Sequence, residues 1–161
     1  MPRGGLLKAK KITALFAAIA VAISLAGCSL SREVASLDPY SPSDGVMLDS
    51  GDLKLRNVLF VVDEDGNAVL IGSLVNGSDW QISGTLETMS SDGQVVVTEF
   101  SVAGGEKYDI GYNGTEPTEL YLEAMPGSMH SVYVRVSGND PVELPTPVMD
   151  GSLAEYRDFI D

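Results

Sequence analysis

Residues 52–62 read DLKLRNVLFVV. The stretch opens by alternating, with Leu53 and Leu55 around Lys54, and closes as an unbroken apolar run from Val58 to Val62. A period of two, with a short apolar run ended by a turn, is the mark of a β-strand. The turn DEDGN (63–67) follows at once, and AVLIGSLV (68–75) resumes the pattern. Working outward, WQISGTLETM (80–89) follows NGSD, and QVVVTEFSV (94–102) follows SSDG. Then come KYDIGY (107–112), ELYLEA (119–124), SVYVRVSG (131–138) and VELPTPVM (142–149). Each run is rich in Val, Ile, Leu, Thr or aromatic residues, and each is closed by Gly, Asn, Asp or Pro. About seven or eight short strands at this spacing predict an all-β fold of the β-sandwich type.

Two features qualify the pattern at the C-terminal end. Pro145 and Pro147 withhold backbone donors, so the last run is expected at an edge or as an extended segment with few ladder bonds. From Gly51 onward, GSLAEYRDFID (151–161) is the one stretch that reads as helical. Ser152 and Glu155 have capping-box spacing, and Leu153, Tyr156 and Ile160 fall on one helical face.

The N-terminal end is of another kind. Arg3, Lys8, Lys10 and Lys11 precede an apolar run from Ile12 to Ala26 that only Thr13 and Ser24 interrupt. As a helix the run is roughly 22 Å long at about 1.5 Å per residue. A membrane-spanning helix needs about 20 apolar residues, so the run fits the core of a signal peptide instead. Leu25, Ala26 and Gly27 then lead into Cys28, the sole cysteine. This sequence is similar to a bacterial lipobox, in which the cysteine sulfur is acylated and the chain is cut before it. An ordinary signal peptide with an incidental cysteine leaves the agreement of charge, run length and all four positions unexplained. Two acyl chains on one cysteine anchor a protein stably where one does not. The thiol is then consumed, so the mature chain has no disulfide and no thiolate chemistry.

The expected organisation is therefore a lipoprotein signal peptide over 1–27, the lipidated Cys28 with a flexible tether over 28–50, and a β-sandwich domain over 51–161. SLSREVASLDPYSPSD (29–44) has the Ser, Pro and Asp content of such a tether. All 23 acidic residues and only six of the ten basic ones follow Cys28, so the mature chain carries a formal charge of −17 with His130 neutral. Nucleic acid and anionic lipid surfaces repel such a domain.

No catalytic set assembles. The chain has one histidine, no spare cysteine and no G-x-S-x-G elbow. Glycine loops of the phosphate or dinucleotide type are absent. In DEDGN, Gly66 comes too early for a calcium loop of the EF-hand type, and Asp65-Gly66-Asn67 suits a hairpin turn. Asn76-Gly77-Ser78 and Asn113-Gly114-Thr115 match the glycosylation pattern but read more simply as turns. EAMPGSMHSVY (123–133) brings Met125, Met129 and His130 within six residues. Thioether and imidazole are ligands for copper(I), and Met47, Met89 or Met149 could add a further thioether.

YSPSDGV (40–46), GDLKLRNVLFV (51–61), GSLVNGSD (72–79), IGYNGTEP (110–117), PGSMHSVYV (126–134) and PVMDGSLAEY (147–156) resemble a family of small actinobacterial lipoproteins of uncharacterised function. Some members of such families carry the label DNA modification methylase, for which this chain has neither a cofactor-binding glycine motif nor a methylase tetrapeptide. More distantly, GDLKLRNV and the Pro-Gly loop before a late strand resemble the periplasmic copper-chaperone domains, which have a cupredoxin-like sandwich. Those domains bind copper through two Met and two His, including a His-x-Met pair. Here His130 stands alone, with Met129 before it and Ser131-Val132 after it.

Together these readings predict an Ig-like or cupredoxin-like sandwich with a short C-terminal helix, held to the extracytoplasmic face of the cell membrane by acylated Cys28. The expected role is a non-enzymatic binding or interaction module with an envelope protein as partner and no nucleic acid. The alternative is a copper metallochaperone using Met125, Met129 and His130.

Overall fold

A computed structural model describes residues 43–160. Cys28, with Leu25, Ala26 and Gly27, lies outside the described residues, as do the stretch expected to be a signal peptide and most of the expected tether. Among the described residues no helix is long and apolar enough to cross a membrane.

The described residues form nine strands and one helical turn: β1 (Val46–Ser50), β2 (Leu53–Val62), β3 (Asn67–Asn76), β4 (Ile82–Met89), β5 (Val95–Val102), β6 (Lys107–Ile110), β7 (Thr118–Tyr121), β8 (Met129–Val136), β9 (Val142–Asp150) and α1 (Ala154–Arg157). The all-β expectation holds, with one strand more than the pattern indicated. That strand, β1, lies within the stretch read as tether, and it pairs antiparallel with β2. Its Val46 and Leu48 pack against the core. Five residues among Ser, Pro and Asp are too few to show a period of their own, so only pairing with β2 makes β1 a strand.

The strands run β5-β4-β8-β9-β2-β3-β6, with β1 paired to β2 and β7 to β3. The sheet folds over at β9. Val142 to Pro147 pair antiparallel with β8, and Val148 to Asp150 pair in parallel with β2. Pro145 and Pro147 lie on the stretch that pairs with β8 alone, where the missing N–H groups leave no second ladder incomplete. The edge expectation fits this half of the strand. The expectation of few ladder bonds does not, because β9 is the joint between the two layers.

The layers enclose one main core. Leu53, Leu55, Phe60 and Leu74 from one side meet Leu86, Phe100, Val132 and Leu144 from the other. The unbroken run in β2 has a separate cause. Val58, Phe60 and Val62 face that core, while Leu59 and Val61 face outward into a second cluster with Val69, Ile71 and Tyr156. The C-terminal segment covers this outer side, with Phe159 and Ile160 packed on the cluster.

The C-terminal helix differs from its expectation. It is a single turn whose N-cap is Leu153, and no side chain caps it. The Ser152 amide instead donates to Asp150 Oδ1 at 3.0 Å, so the capping box does not form. Tyr156 is buried and Ile160 half-buried, but Leu153 is exposed.

Candidate functional site

The hairpin and loop signals resolve into structural devices. Asp63 accepts from the Asp65 and Asn67 amides at 2.9 and 2.8 Å, and from Asn67 Nδ2 at 2.6 Å. These bonds hold the DEDGN turn and keep the Asp63 carboxyl below its ordinary pKa, the Asn67 side-chain bond being the largest cause. Among the described residues no group of three or more His, Cys, Asp or Glu side chains is arranged to hold a metal. Asn113 and Gly114 both have positive φ, and Thr115 N–H donates to Tyr112 O across them, as a tight turn requires. Asn76 is not a simple turn residue. It is buried, its Nδ2 donates to Trp80 O and Val102 O, and its Oδ1 accepts from the Ser78 amide and hydroxyl.

The Met and His residues at the start of β8 take separate positions. Met125 stands out from the β7–β8 loop and is 79% exposed. Met129 and His130 are consecutive on β8, so the pleat sends them to opposite faces. Met129 is exposed, opposite Pro147. The His130 ring meets the buried Phe60 edge-on with centroids 5.5 Å apart. Its Nε2 donates to Met89 O at 2.8 Å, because a carbonyl can only accept. The remaining ring nitrogen is the one lone pair that neutral His130 could offer a metal.

The same alternation builds a feature that periodicity did not single out. On the layer β5-β4-β8-β9, the outward positions form rows across the strands. Val95 lies opposite Met89, Val97 opposite Glu87, Glu87 opposite Tyr133, and Tyr133 opposite Glu143. Met129 opposite Pro147 extends the set. Five large apolar side chains are thereby open to solvent: Val95 (60%), Met89 (57%), Met129 (55%), Val97 (50%) and Tyr133 (43%). Half of the exposed large hydrophobic residues of the described chain share this one face. The signal was present in VVV (95–97), where three consecutive apolar residues must point to both faces of a strand.

Acidic groups stand both among and beside these apolar positions. Glu87, Glu99 and Glu143 stand on the face with Arg135 as their one cation. Arg135 Nε pairs with Glu87 at 3.2 Å, and this guanidinium, with the Thr85 hydroxyl, holds the Glu87 carboxyl below its ordinary range. Ser131 donates to Glu143 at 2.6 Å. Farther along, Ser83, Ser101 and Gln81 are joined by hydrogen bonds and make that end of the face polar.

No protein-family model matches the chain. No curated protein sequence matches it either. Among solved structures, the apo PCuAC domain of PmoF2 is similar, with a TM-score of 0.49 and 12% identity over 67% of this chain and 98% of that one. The apo PCuAC domain of PmoF1 is similar with a TM-score of 0.40 and 13% identity over 65% of this chain and 99% of that one. At these values neither likeness assigns this chain a metal or an activity.

Proposed function

We propose that this chain is a membrane-anchored extracytoplasmic lipoprotein whose β domain is a non-enzymatic protein-binding module, and that the outward face of β5-β4-β8-β9 is its docking surface. The observation that carries the reading is the adjacent set Val95, Val97 and Met89, with Tyr133 across Glu87 from them and Met129 farther along β8, all exposed on one sheet face. A run of adjacent exposed apolar residues is what an interaction site leaves when its partner is away. Covering the exposed part of one of these half-exposed Val or Met side chains is worth roughly 1 kcal/mol. The acidic groups define the occupant. A second copy would set Glu87, Glu99 and Glu143 against their own kind, so the partner is a different protein with an apolar patch edged by Lys or Arg.

The test is thiol labelling of the full-length protein carrying Val97→Cys, with exposed Glu106→Cys as the control. In native membranes Val97→Cys should react with maleimide at least about tenfold more slowly than in detergent, while Glu106→Cys reacts alike in both; tenfold is about 1.4 kcal/mol of protection. Equal rates in membranes and detergent would overturn the reading. Equal slowing in protein-free vesicles of the same lipids would also overturn it, since the face would then rest on lipid.

Copper(I) binding is a second reading. It is supported by the shared outward face of Met89 and Met129 on neighbouring strands and by the exposed Met125 in the loop leading into β8. Thioethers suit copper(I) without thiolate. A copper(I) titration against a competing chelator tests it: binding should fall in Met129→Leu, and no binding above the competitor would retire it.

A further inference from the structure

A second recessed surface lies at the end of the sandwich away from Trp80, between the β2–β3 turn, the β7–β8 loop and the C-terminal segment. It is a groove of about 1060 Å³. Its accessible apolar lining is Ala124, Met125, Pro126 and Ile160, set over the buried Val62 and Leu122. Its walls carry Asp63, Glu64, Asp65, Glu123 and Asp150, against Arg157 as the one cation among the lining residues. We propose that this groove is a binding site for an extended peptide segment of a partner protein that alternates Arg or Lys with apolar side chains.

The shape is fixed in advance. Leu122 N–H donates to Gly66 O at 2.8 Å, tying the end of β7 to the β2–β3 turn. Gly127 N–H donates to Val148 O at 2.7 Å, which ties the β7–β8 loop to β9. Gly151 leaves room for the third wall, since a Cβ there would come within 2.4 Å of Ile160 Cδ1. A walled groove lets a peptide bind without first ordering the site, which lowers the cost of association.

Charge selects the occupant. Five carboxylates against the one guanidinium give the lining a net negative charge, so anionic ligands are repelled. The apolar lining disfavours a purely hydrophilic cation, because such a ligand would leave Met125 and Ile160 uncovered. A second copy supplies no match either, for the six basic residues after Cys28 are scattered among 23 acidic ones. An alternating basic and apolar segment satisfies both surfaces: one side chain set lies on the apolar lining, and the other pairs with the carboxylates.

The probe is a fluorescent peptide alternating arginine and leucine, followed by anisotropy with the full-length protein in detergent at physiological salt. It should bind at least about tenfold more tightly than a peptide in which serine replaces leucine, a difference of about 1.4 kcal/mol. Glu64→Gln with Glu123→Gln, and separately the exposed Met125→Arg at the groove lip, should each weaken binding about tenfold. Glu106→Gln with Asp140→Asn removes the same charge elsewhere and should change binding less than about twofold. Equal weakening by the groove pair and the distant pair would show attraction to net charge alone and overturn the proposal. Failure of the arginine–leucine peptide to bind, or equal binding of the serine peptide, would do so as well. Val97→Asp leaves this binding unchanged if the groove and the sheet face act separately, so each site can fail without the other.

Discussion

His130 Nε2 lies 2.8 Å from the carbonyl oxygen of Met89, joining the start of β8 to the end of β4. The bond commits the imidazole hydrogen to the backbone, while the ring edge covers Phe60. His130→Ala should therefore destabilise the domain by about 1–3 kcal/mol, since it leaves an acceptor unpaired and a gap beside Phe60. The urea midpoint measures this. In the copper(I) titration, His130→Ala should leave affinity within about twofold while Met129→Leu lowers it, because the two residues take opposite faces.

Asn76 closes the loop between β3 and β4 from within. Its side chain makes four hydrogen bonds, two given and two accepted, at 2.6 to 3.0 Å. Asn76→Ala removes a donor from each of the Trp80 and Val102 carbonyls and the acceptor of the Ser78 amide, leaving Trp80 O only the Ser78 hydroxyl, at a cost of about 2–4 kcal/mol. Asn76→Asp should also destabilise, since its carboxylate cannot donate to those carbonyls. Thermal midpoints of both variants check the expectation.

Asp109 joins β6 to β3. Burial pushes its carboxyl up, but bonds from Asn113, Lys107 and Ser73 more than offset this and hold it well below its ordinary value of 3.8. A depressed folded-state pKa means that the contribution is complete above about pH 4 and is lost as pH falls below it. Asp109→Asn should lower stability by about 2 kcal/mol at neutral pH and flatten the acid limb of the stability profile. Urea midpoints at stepped pH would show both effects.

Tyr156 is tied to the N-terminal end of the domain, its hydroxyl donating to Asp44 Oδ2 at 2.8 Å. Burial first, and then the Asp44 hydrogen bond and charge, push the hydroxyl up from 10.0 to about 12. A raised folded-state pKa means that the stabilisation is complete below about pH 10 and is lost as pH rises through about 12. Tyr156→Phe should cost about 1 kcal/mol at neutral pH and remove that part of the alkaline loss. Tyrosinate absorbance during an alkaline titration should show one late-titrating group fewer.

Cys28 carries the proposed anchor. Cys28→Ser should leave an uncut precursor that incorporates no labelled palmitate in cells. Normal processing and labelling of that variant would overturn the lipoprotein reading.

Eight of the nine strands could be located from residue patterns, because turn residues such as Asp65-Gly66 and Asn113-Gly114 act within a few positions of themselves. Strand β1 could not, since Val46 and Leu48 are apolar only to a purpose that β2 supplies. The sheet face shows the limit more sharply. VVV (95–97) says that β5 has apolar residues on both sides, but not that Val96 packs on the core while Val95 and Val97 stand in solvent. The candidate copper set shows the same limit. Met129 and His130 are neighbours in the chain, and the pleat of a strand parts them.

By itself the sequence determined the all-β class, the turn positions and the acidic composition, and it raised the proposal of a lipid anchor at Cys28. Each of these is local: it depends on a residue and its nearest neighbours. Tertiary structure alone decided that β9 joins the two layers, that Leu59 and Val61 lie under the C-terminal segment, and that Val97, Glu87 and Tyr133 share a row. Those facts depend on which strands pair and in what register, and pairing brings together residues far apart in the chain. Alternation sets that a strand has two faces; only packing against the rest of the molecule selects which of them meets water.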